Sequence, residues 1–202
     1  MKWGVRNGPP YPLNSSDPSM YNIDKLGTSS KNNILYITGL SGSGKSTYAE
    51  KYKKPKECVH LDGYFEQDTE SAQNLNLNEF LKENDFDISK MRKDGEPNKE
   101  KRWKNIDKFA EELLPKYAEK KYSEGKIVIA EGVQLLDDTM YPNKTYFKDK
   151  PIVILNTNQS VAMYRAIARD NIKTDAQDMA ERLEWYSFFN TKINELKETI
   201  NI

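Results

Sequence analysis

The sequence predicts an α/β protein, a three-layer α/β/α sandwich around a mainly parallel sheet of about four to five strands. Two observations lead to this prediction. Short, wholly apolar runs such as ILYIT and IVIA recur along the chain, and stretches with helical periodicity separate them. Such runs are typical of strands that are buried on both faces of a parallel sheet, and the crossovers between parallel strands place helices on those two faces.

The individual elements follow one another in a regular order after residue 33. Apolar runs predict strands, in chain order, at residues 34–38, 58–61, 127–130 and 152–155. Helical spacing of apolar side chains predicts helices at residues 45–53, 77–82, 98–122, 159–171 and 175–200. Pro115 should kink or split the third of these helices, because proline lacks the amide hydrogen of a regular turn. Asp175 is in the position of an N-cap for the last helix.

Residues 1–33 differ in composition from the rest of the chain. They are rich in Pro, Gly, Asn and Ser, which predicts an irregular N-terminal arm before a single domain of residues 34–202. At the other end, the last predicted helix carries an aromatic stripe of Trp185, Phe188 and Phe189. We interpret this stripe as core, with a dimer face as the alternative, and the oligomeric state stays open.

The overall composition argues against several classes of protein. Lysine plus arginine and aspartate plus glutamate each total 31, so no excess positive charge favours bulk binding of nucleic acid or of a membrane surface. No apolar run approaches the length of a membrane span, and the chain starts without a secretory signal. Cys58 is the only cysteine, which is typical of a reducing compartment. We therefore expect a cytoplasmic protein.

A glycine-rich loop follows the first predicted strand. Its sequence, GLSGSGKST, matches the pattern G-x-x-x-x-G-K-[ST] at Gly39, Gly44, Lys45 and Ser46. Glycines let the backbone turn its N–H groups inward, where together with the start of the next helix they form a cradle for phosphate. The residues expected to bind a nucleotide are Gly39, Ser41, Gly42, Ser43, Gly44, Lys45, Ser46 and Thr47. The alternative is a glycine-rich turn that merely contains a lysine.

Three side chains of this loop have predicted roles. Lys45 supplies a mobile positive charge to the β- and γ-phosphates of ATP, and it is a predicted catalytic residue. Ser46 supplies an oxygen to Mg²⁺, a cation that accepts few protein ligands and requires octahedral geometry. Thr47 packs in the loop or contacts the α-phosphate.

Acidic residues follow the second and third predicted strands. Parallel strands present their carboxyl ends at one edge of a sheet, so Asp62 and Glu131 are expected beside the glycine-rich loop. Asp62 is the predicted general base, or a Mg²⁺ ligand through water; alternatively it is a turn residue before Gly63. Glu131 is predicted to reach the Mg²⁺ shell or a substrate hydroxyl; alternatively it faces solvent. His60 is expected to be a packed strand residue.

Two arginines are spaced four residues apart on the helix predicted at 159–171. The spacing places Arg165 and Arg169 on one helical face. Both are predicted catalytic residues that hold the transferred phosphoryl group and stabilise its charge. The alternative is a solvated basic face.

The succession GLSGSGKST, LDGYF, IVIAEGVQLL and RAIARD resembles the uridine kinase and phosphoribulokinase group of P-loop kinases, over residues 34–171. The resemblance implies a P-loop NTPase sandwich in which residues 63–105 form a substrate-side insertion and residues 165–175 a lid. Zeta-toxin-like kinases, which phosphorylate UDP-sugars, are similar in layout. The opening MKWGVRNGPPYPL resembles a segment of phage and prophage proteins.

The same resemblance implies roles for individual residues. Lys45 and Ser46 would bind ATP·Mg²⁺, and Asp62 would be the catalytic base. Arg165 and Arg169 would belong to the lid. These assignments agree with the roles that the chemistry of the residues predicts.

The expected function is transfer of the γ-phosphate of ATP, with Mg²⁺ as cofactor, to a hydroxyl of a small molecule, a nucleoside or nucleotide-like acceptor. The acceptor is expected in a pocket roofed by residues 63–105. Two alternatives stay open: a zeta-toxin-like UDP-sugar kinase, and a non-kinase nucleotide-binding switch or assembly protein of a phage or prophage. A nucleic-acid end kinase is disfavoured, because tracking a phosphate backbone requires a basic channel.

Overall fold

A computed structural model describes residues 18–65, 74–138, 140–170 and 175–201 of the chain. These residues form a five-stranded sheet with the strand order β1-β5-β2-β4-β3. The strands are β1 (Ser19–Tyr21), β2 (Ile34–Gly39), β3 (Lys56–His60), β4 (Ile127–Glu131) and β5 (Ile152–Leu155). Neighbouring strands are parallel except for β1, which pairs antiparallel with β5. The prediction of an α/β protein with a mainly parallel sheet is confirmed.

Helices connect the strands and cover the sheet. In chain order they are α1 (Lys45–Lys51), α2 (Asp62–Phe65), α3 (Leu75–Glu83), α4 (Lys99–Lys108), α5 (Leu114–Ser123), α6 (Gln159–Asp170) and α7 (Ala176–Ile200). Short 3₁₀ segments lie at Ile23–Lys25, Ser30–Asn32, Ile88–Met91, Val133–Leu136 and Lys144–Phe147. Among the residues that the structure describes, no helix combines the length and the apolar composition that crossing a bilayer requires.

The central strands are buried on both faces, which is why their sequences are continuously apolar. Alternate residues of β2 point to opposite sides of the sheet. Ile34 and Tyr36 belong to the larger apolar cluster, and Leu35 and Ile37 belong to the smaller one. An apolar layer on each side of one sheet is compatible with the predicted three-layer α/β/α sandwich.

The sheet begins before residue 34. The sequence predicts an irregular arm over residues 1–33, but within its described part Ser19–Tyr21 pairs with residues 152–154 of β5. The side-chain amide of Asn22 then donates hydrogen bonds to the carbonyl oxygens of Lys148 (3.0 Å) and Lys150 (3.3 Å), which fastens this segment to the domain. A three-residue edge strand is too short for side-chain alternation to identify it in the sequence.

Pro115 interrupts a long helix, as its sequence position predicts. A five-residue π-helical segment, Phe109–Leu113, joins α4 to α5, and the amide of Leu114 donates to the carbonyl oxygen of Phe109, five residues back. A proline ring clashes with the carbonyl group four residues earlier and has no amide hydrogen of its own. The wider π turn directly before α5 therefore accommodates the proline without ending the helix.

The strand order creates a crevice at the carboxyl end of β2. From β2 the chain moves to β3 on one side of the sheet, and later it adds β5 on the opposite side of β2. Connections that leave in opposite directions separate at this point, and ligands of open α/β sheets bind in the resulting crevice. The glycine-rich loop follows β2 and therefore lies at this position.

Candidate functional site

The loop of residues 39–47 is compact and packs against α6. Gly42 and Gly44 have φ angles of 77° and 95°, in the left-handed region that favours glycine. A Cβ atom on Gly42 would lie 2.1 Å from the carbonyl oxygen of Ala162 in α6, so only glycine permits this contact. The hydroxyl of Ser43 is buried and has no hydrogen-bond partner within the described part of the chain. An anion in the loop would satisfy such a group.

Lys45 is a buried cation within this loop. Its ammonium group donates hydrogen bonds to the carbonyl oxygens of Gly39 (3.2 Å) and Leu40 (3.1 Å). Burial lowers the pKa of Lys45, although the charges of Glu131 and Asp62 oppose the shift. An ammonium group has three N–H donors, so Lys45 retains a donor for an anion that enters the loop.

Glu131, the last residue of β4, is a buried carboxylate that joins three elements. Its Oε1 atom accepts a hydrogen bond from the hydroxyl of Ser46 (2.9 Å) and lies 2.5 Å from Nδ1 of His60. Burial by itself raises the pKa of Glu131, but the bonds to His60 and Ser46 and the charge of Lys45 bring it below its ordinary value. The hydrogen bond with Glu131 raises the pKa of His60. His60 is thus an ion-pair partner as well as a strand residue.

Close contact between the ends of β3 and β4 brings Asp62 and Glu131 to the same edge. The amide of Leu61 donates to the carbonyl oxygen of Glu131 (2.9 Å) directly after β3 ends. A Cβ atom on Gly132 would lie 2.9 Å from Cβ of Leu61, so the glycine after Glu131 allows the approach. Asp62 follows as the exposed first residue of α2. The packing of Leu61 against Glu131 and Gly132 is therefore the physical reason that Asp62 and Glu131 lie at the same edge.

A cleft of about 470 Å³ opens beyond the carboxyl ends of the strands, beside the glycine-rich loop. Ser41 and Lys45 line it from the loop, Asp62 lines it from α2, and Val133 lines it from the segment after β4. Arg169 reaches it from α6. Residues that are far apart in sequence thus share one cavity, and several of them are ionisable.

Arg169 lines the cleft, whereas Arg165 is not among its described lining residues. Arg169 donates to both carboxylate oxygens of Asp170, at 2.6 and 3.0 Å, and this hydrogen bonding raises the pKa of Arg169. Arg165 is half-buried one turn earlier. An i,i+4 pair shares a helical face but is separated by about 6 Å along the axis, so a site can reach one member without the other.

Helix α7 forms a wall of the cleft that the sequence analysis does not assign to the site. Its lining residues are Asp178, Glu181, Arg182, Trp185 and Tyr186. The hydroxyl of Tyr186 donates to the carbonyl oxygen of Ser41 (3.0 Å), which ties α7 to the glycine-rich loop. The predicted aromatic stripe is divided, because Phe189 is buried while Trp185 and Phe188 are exposed. Charged residues in the turns before Trp185 were the available signal in the sequence, but they do not indicate what the helix faces.

Residues 63–105 do not contribute to the cleft within their described parts, 63–65 and 74–105. Helix α3 of this range packs instead on the outer side of β3, where the side-chain amide of Asn74 donates to the carbonyl oxygen of Cys58 (3.0 Å). Leu77 and Leu81 of α3 are buried in the larger apolar cluster. Residues 66–73 of the predicted insertion and residues 171–174 of the predicted lid lie outside the described residues.

The chain was compared with known protein families, with curated proteins and with solved structures. No family model, curated protein or solved structure matches it. In the described ranges, no group of three or more His, Cys, Asp or Glu side chains is arranged to hold a metal ion. The interpretation of the site therefore depends on the geometry of its own residues.

The packing of the loop against α6 can be tested with two glycines that have nearly the same backbone conformation. Gly42 and Gly125 have φ angles of 77° and 76°, but a Cβ atom on Gly125 would have no neighbour within 4 Å. We expect Gly125→Ala to lower the free energy of unfolding by about 1 kcal/mol, the cost of the left-handed conformation. Gly42→Ala should cost about 3 kcal/mol, because the loop and α6 must also separate. If urea denaturation gave equal losses of unfolding free energy for the two variants, the close contact between Gly42 and α6 would be contradicted.

The His60–Glu131 pair can be tested directly, because His60 is the only histidine in the chain. An NMR titration of its single imidazole should give a pKa above the ordinary 6.5, since the bond to Glu131 favours the protonated ring. Glu131→Gln should lower this pKa, because burial then opposes protonation without a carboxylate partner. The exposed Glu119→Gln is the control. An equal pKa in wild type and Glu131→Gln would exclude the pair.

The raised pKa of His60 also determines the direction in which the stability of the folded protein changes with pH. The pair stabilises the folded protein fully below the pKa of an unfolded histidine, and this contribution is lost as the pH rises through the folded pKa. The difference in unfolding free energy between wild type and Glu131→Gln should therefore shrink from pH 6 toward pH 8, about the range in which histidine titrates.

Proposed function

We propose that this protein is an ATP-dependent phosphotransferase that moves the γ-phosphate of ATP to a hydroxyl of a small molecule, of nucleoside or nucleotide-like type. One observation carries the proposal: a glycine-rich loop, a buried lysine and an exposed carboxylate meet at a single cleft. Phosphoryl transfer depends mainly on positioning and on charge stabilisation, and these groups supply both.

The loop of residues 39–47 has the properties of a triphosphate site. Its backbone turns tightly at glycines, it contains the ammonium group of Lys45, and the buried hydroxyl of Ser43 has no partner among the described residues. Main-chain N–H groups of a turn in this conformation bind anions, and the lysine adds a full positive charge. These features support binding of the phosphates of ATP, rather than a turn whose lysine merely covers the surface.

Ser46 and Glu131 are suited to hold Mg²⁺ beside the phosphates. A hydroxyl oxygen and a carboxylate oxygen lie 2.9 Å apart there, and Mg²⁺ prefers oxygen ligands, few of them from the protein. When bound to the phosphate oxygens, the ion would neutralise the charge that develops during transfer. His60 contacts the same carboxylate oxygen of Glu131 and helps to fix its position.

Asp62 is suited to act as the general base. Its exposed carboxylate lines the cleft that also contains Lys45 and Arg169. As the acceptor oxygen forms a bond to the γ-phosphorus, the bond from that phosphorus to the bridging oxygen of ADP breaks, and the hydroxyl proton passes to Asp62. Lys45 and Arg169 stabilise the negative charge on the transferred group.

The first experiment is calorimetry with ATP and Mg²⁺, in which we expect nucleotide uptake. A screen of labelled ATP against nucleosides, UDP-sugars and 5′-hydroxyl oligonucleotides then identifies the acceptor class. Lys45→Ala should abolish transfer, while Lys51→Ala, an exposed lysine of the same helix, should not. Absence of ATP uptake by the folded protein would overturn the proposal, and uptake without transfer to any acceptor would favour a nucleotide-dependent switch.

The role of Asp62 predicts a selective loss of turnover. Asp62→Asn preserves the shape of the side chain but removes the proton acceptor, so kcat should fall by at least about tenfold. A general base usually contributes about 10²–10⁴ in rate. The affinity for ATP in calorimetry should not change. Asp107→Asn, at an exposed position of α4, is the control. Unchanged turnover in Asp62→Asn would make Asp62 a turn residue.

The two arginines of α6 should differ in their effects. Arg169→Ala removes a guanidinium group from the cleft, so we expect kcat to fall by at least about tenfold. Arg165→Ala should change kcat by less than about twofold, because Arg165 does not line the cleft in the described part of the chain. Equal losses in steady-state kinetics would mean that both arginines reach the phosphates.

A further inference from the structure

The cleft has a wall, formed by α7, to which the proposed chemistry assigns no role. Its residues recur at three- and four-residue spacing and therefore share one helical face. Those that line the cleft are Asp178, Glu181, Arg182, Trp185 and Tyr186. Since the Tyr186 hydroxyl is bonded to the carbonyl oxygen of Ser41, this face is held against the first half of the glycine-rich loop.

The α7 wall lies on the side of the cleft where an acceptor would bind. Asp62 follows β3 and Val133 follows β4, so both lie on the same side of the β2 loop. These two residues and the α7 wall line one cavity. A molecule whose hydroxyl group lies close enough to Asp62 to give up its proton therefore occupies the cavity that the α7 wall lines.

The charges in this cavity disfavour a second anionic molecule. The acidic residues that line it, in the part of the chain that the structure describes, are Asp62, Asp170, Asp178 and Glu181, and the basic ones are Lys45, Arg169 and Arg182. Lys45 belongs to the phosphate loop, and Arg169, which also donates to both oxygens of Asp170, is assigned to the transferred phosphoryl group. Arg182 therefore remains as the basic group of the wall, beside the two carboxylates of Asp178 and Glu181.

Trp185 offers a flat apolar surface within the same wall. The residue is 39% exposed, and its ring packs at 4.5 Å from Phe189 and at 5.1 Å from Tyr186, measured between ring centroids. These neighbours hold the indole in place, so stacking on it costs little conformational freedom. Glu181 lies one helical turn before Trp185 on the same face, so it is within reach of the polar substituents of a ring that stacks on Trp185.

We propose that the α7 wall is the acceptor subsite and that it selects a hydroxyl compound with an apolar ring face and without an anionic group. The inference rests on the proposed phosphotransferase function and narrows it: nucleosides and amino sugars are accepted, whereas nucleotides, sugar phosphates and UDP-sugars are rejected. Carboxylates accept hydrogen bonds from hydroxyl and amino groups and repel phosphates. Asp62 takes the hydroxyl proton, and ADP leaves, as in the general reaction.

Matched acceptors test the selectivity. We expect kcat/KM for uridine, and for glucosamine, to exceed that for uridine 5′-monophosphate, glucosamine 6-phosphate and UDP-N-acetylglucosamine by at least about tenfold. Preference for an anionic member of either set would overturn the inference while leaving the proposed function intact. Transfer to none of these probes, with ATP still bound, would overturn both.

Charge reversal on α7 tests the origin of the selectivity. Glu181→Lys should shift the ratio of kcat/KM values by at least about tenfold in favour of the anionic acceptors, since it replaces repulsion by attraction. Glu184→Lys makes the same change at an exposed position that does not line the cleft, and it should leave the ratio unchanged. Equal ratios in the two variants would show that the wall does not contact the acceptor.

Substitution of the indole tests the stacking surface. Trp185→Leu should raise the KM for uridine by about tenfold, with kcat within about twofold of wild type, and Trp185→Phe should restore most of the affinity. Phe188→Leu removes a more exposed aromatic ring of the same helix and should change neither constant. Thermal melting checks that each variant is folded. An equal KM in Trp185→Leu and Phe188→Leu would exclude Trp185 from the subsite.

Discussion

The site depends on one buried carboxylate. Glu131 has 6% of its side chain exposed at the end of β4, and a charge in such a place is costly unless it is paired and hydrogen-bonded. Its carboxylate accepts a hydrogen bond from the hydroxyl of Ser46 in α1 and pairs with the imidazole of His60 in β3. The positive charge of Lys45 also stabilises it. Because the partners come from different elements, satisfying this carboxylate fixes the glycine-rich loop relative to the edge strand.

Close backbone contacts complete this arrangement. Gly42 lets the loop touch α6, and Gly132 lets the end of β4 approach Leu61, which places Asp62 at the mouth of the cleft. Neither contact leaves room for a Cβ atom. Rigid positioning matters for the proposed chemistry, because a catalytic group that is displaced by even a fraction of an ångström loses much of its effect. The glycines of the motifs therefore serve packing as well as the proposed binding of phosphate.

Helix α7 has two roles in this arrangement. Phe189, Ile193 and Leu196 are buried in the larger apolar cluster and anchor the helix to the domain. Its N-terminal half instead presents charged and aromatic side chains to the cleft, held there by the bond from Tyr186 to Ser41. A helix that is anchored at one end and polar at the other provides a rigid wall, and changes in its exposed side chains would alter the lining of the cleft without disturbing the core.

The sequence by itself determined the four parallel strands, most of the helices and the position of the glycine-rich loop, because these follow from local patterns of burial and from backbone conformations that glycine favours. It also indicated that Asp62 and Glu131 share an edge. Tertiary structure alone decided that Ser19–Tyr21 adds a strand and that Arg169, not Arg165, lines the cleft. It also decided that α7 lines the cleft together with Asp62, whereas the described parts of residues 63–105 do not. Those outcomes depend on contacts between segments distant in sequence, which no local periodicity encodes.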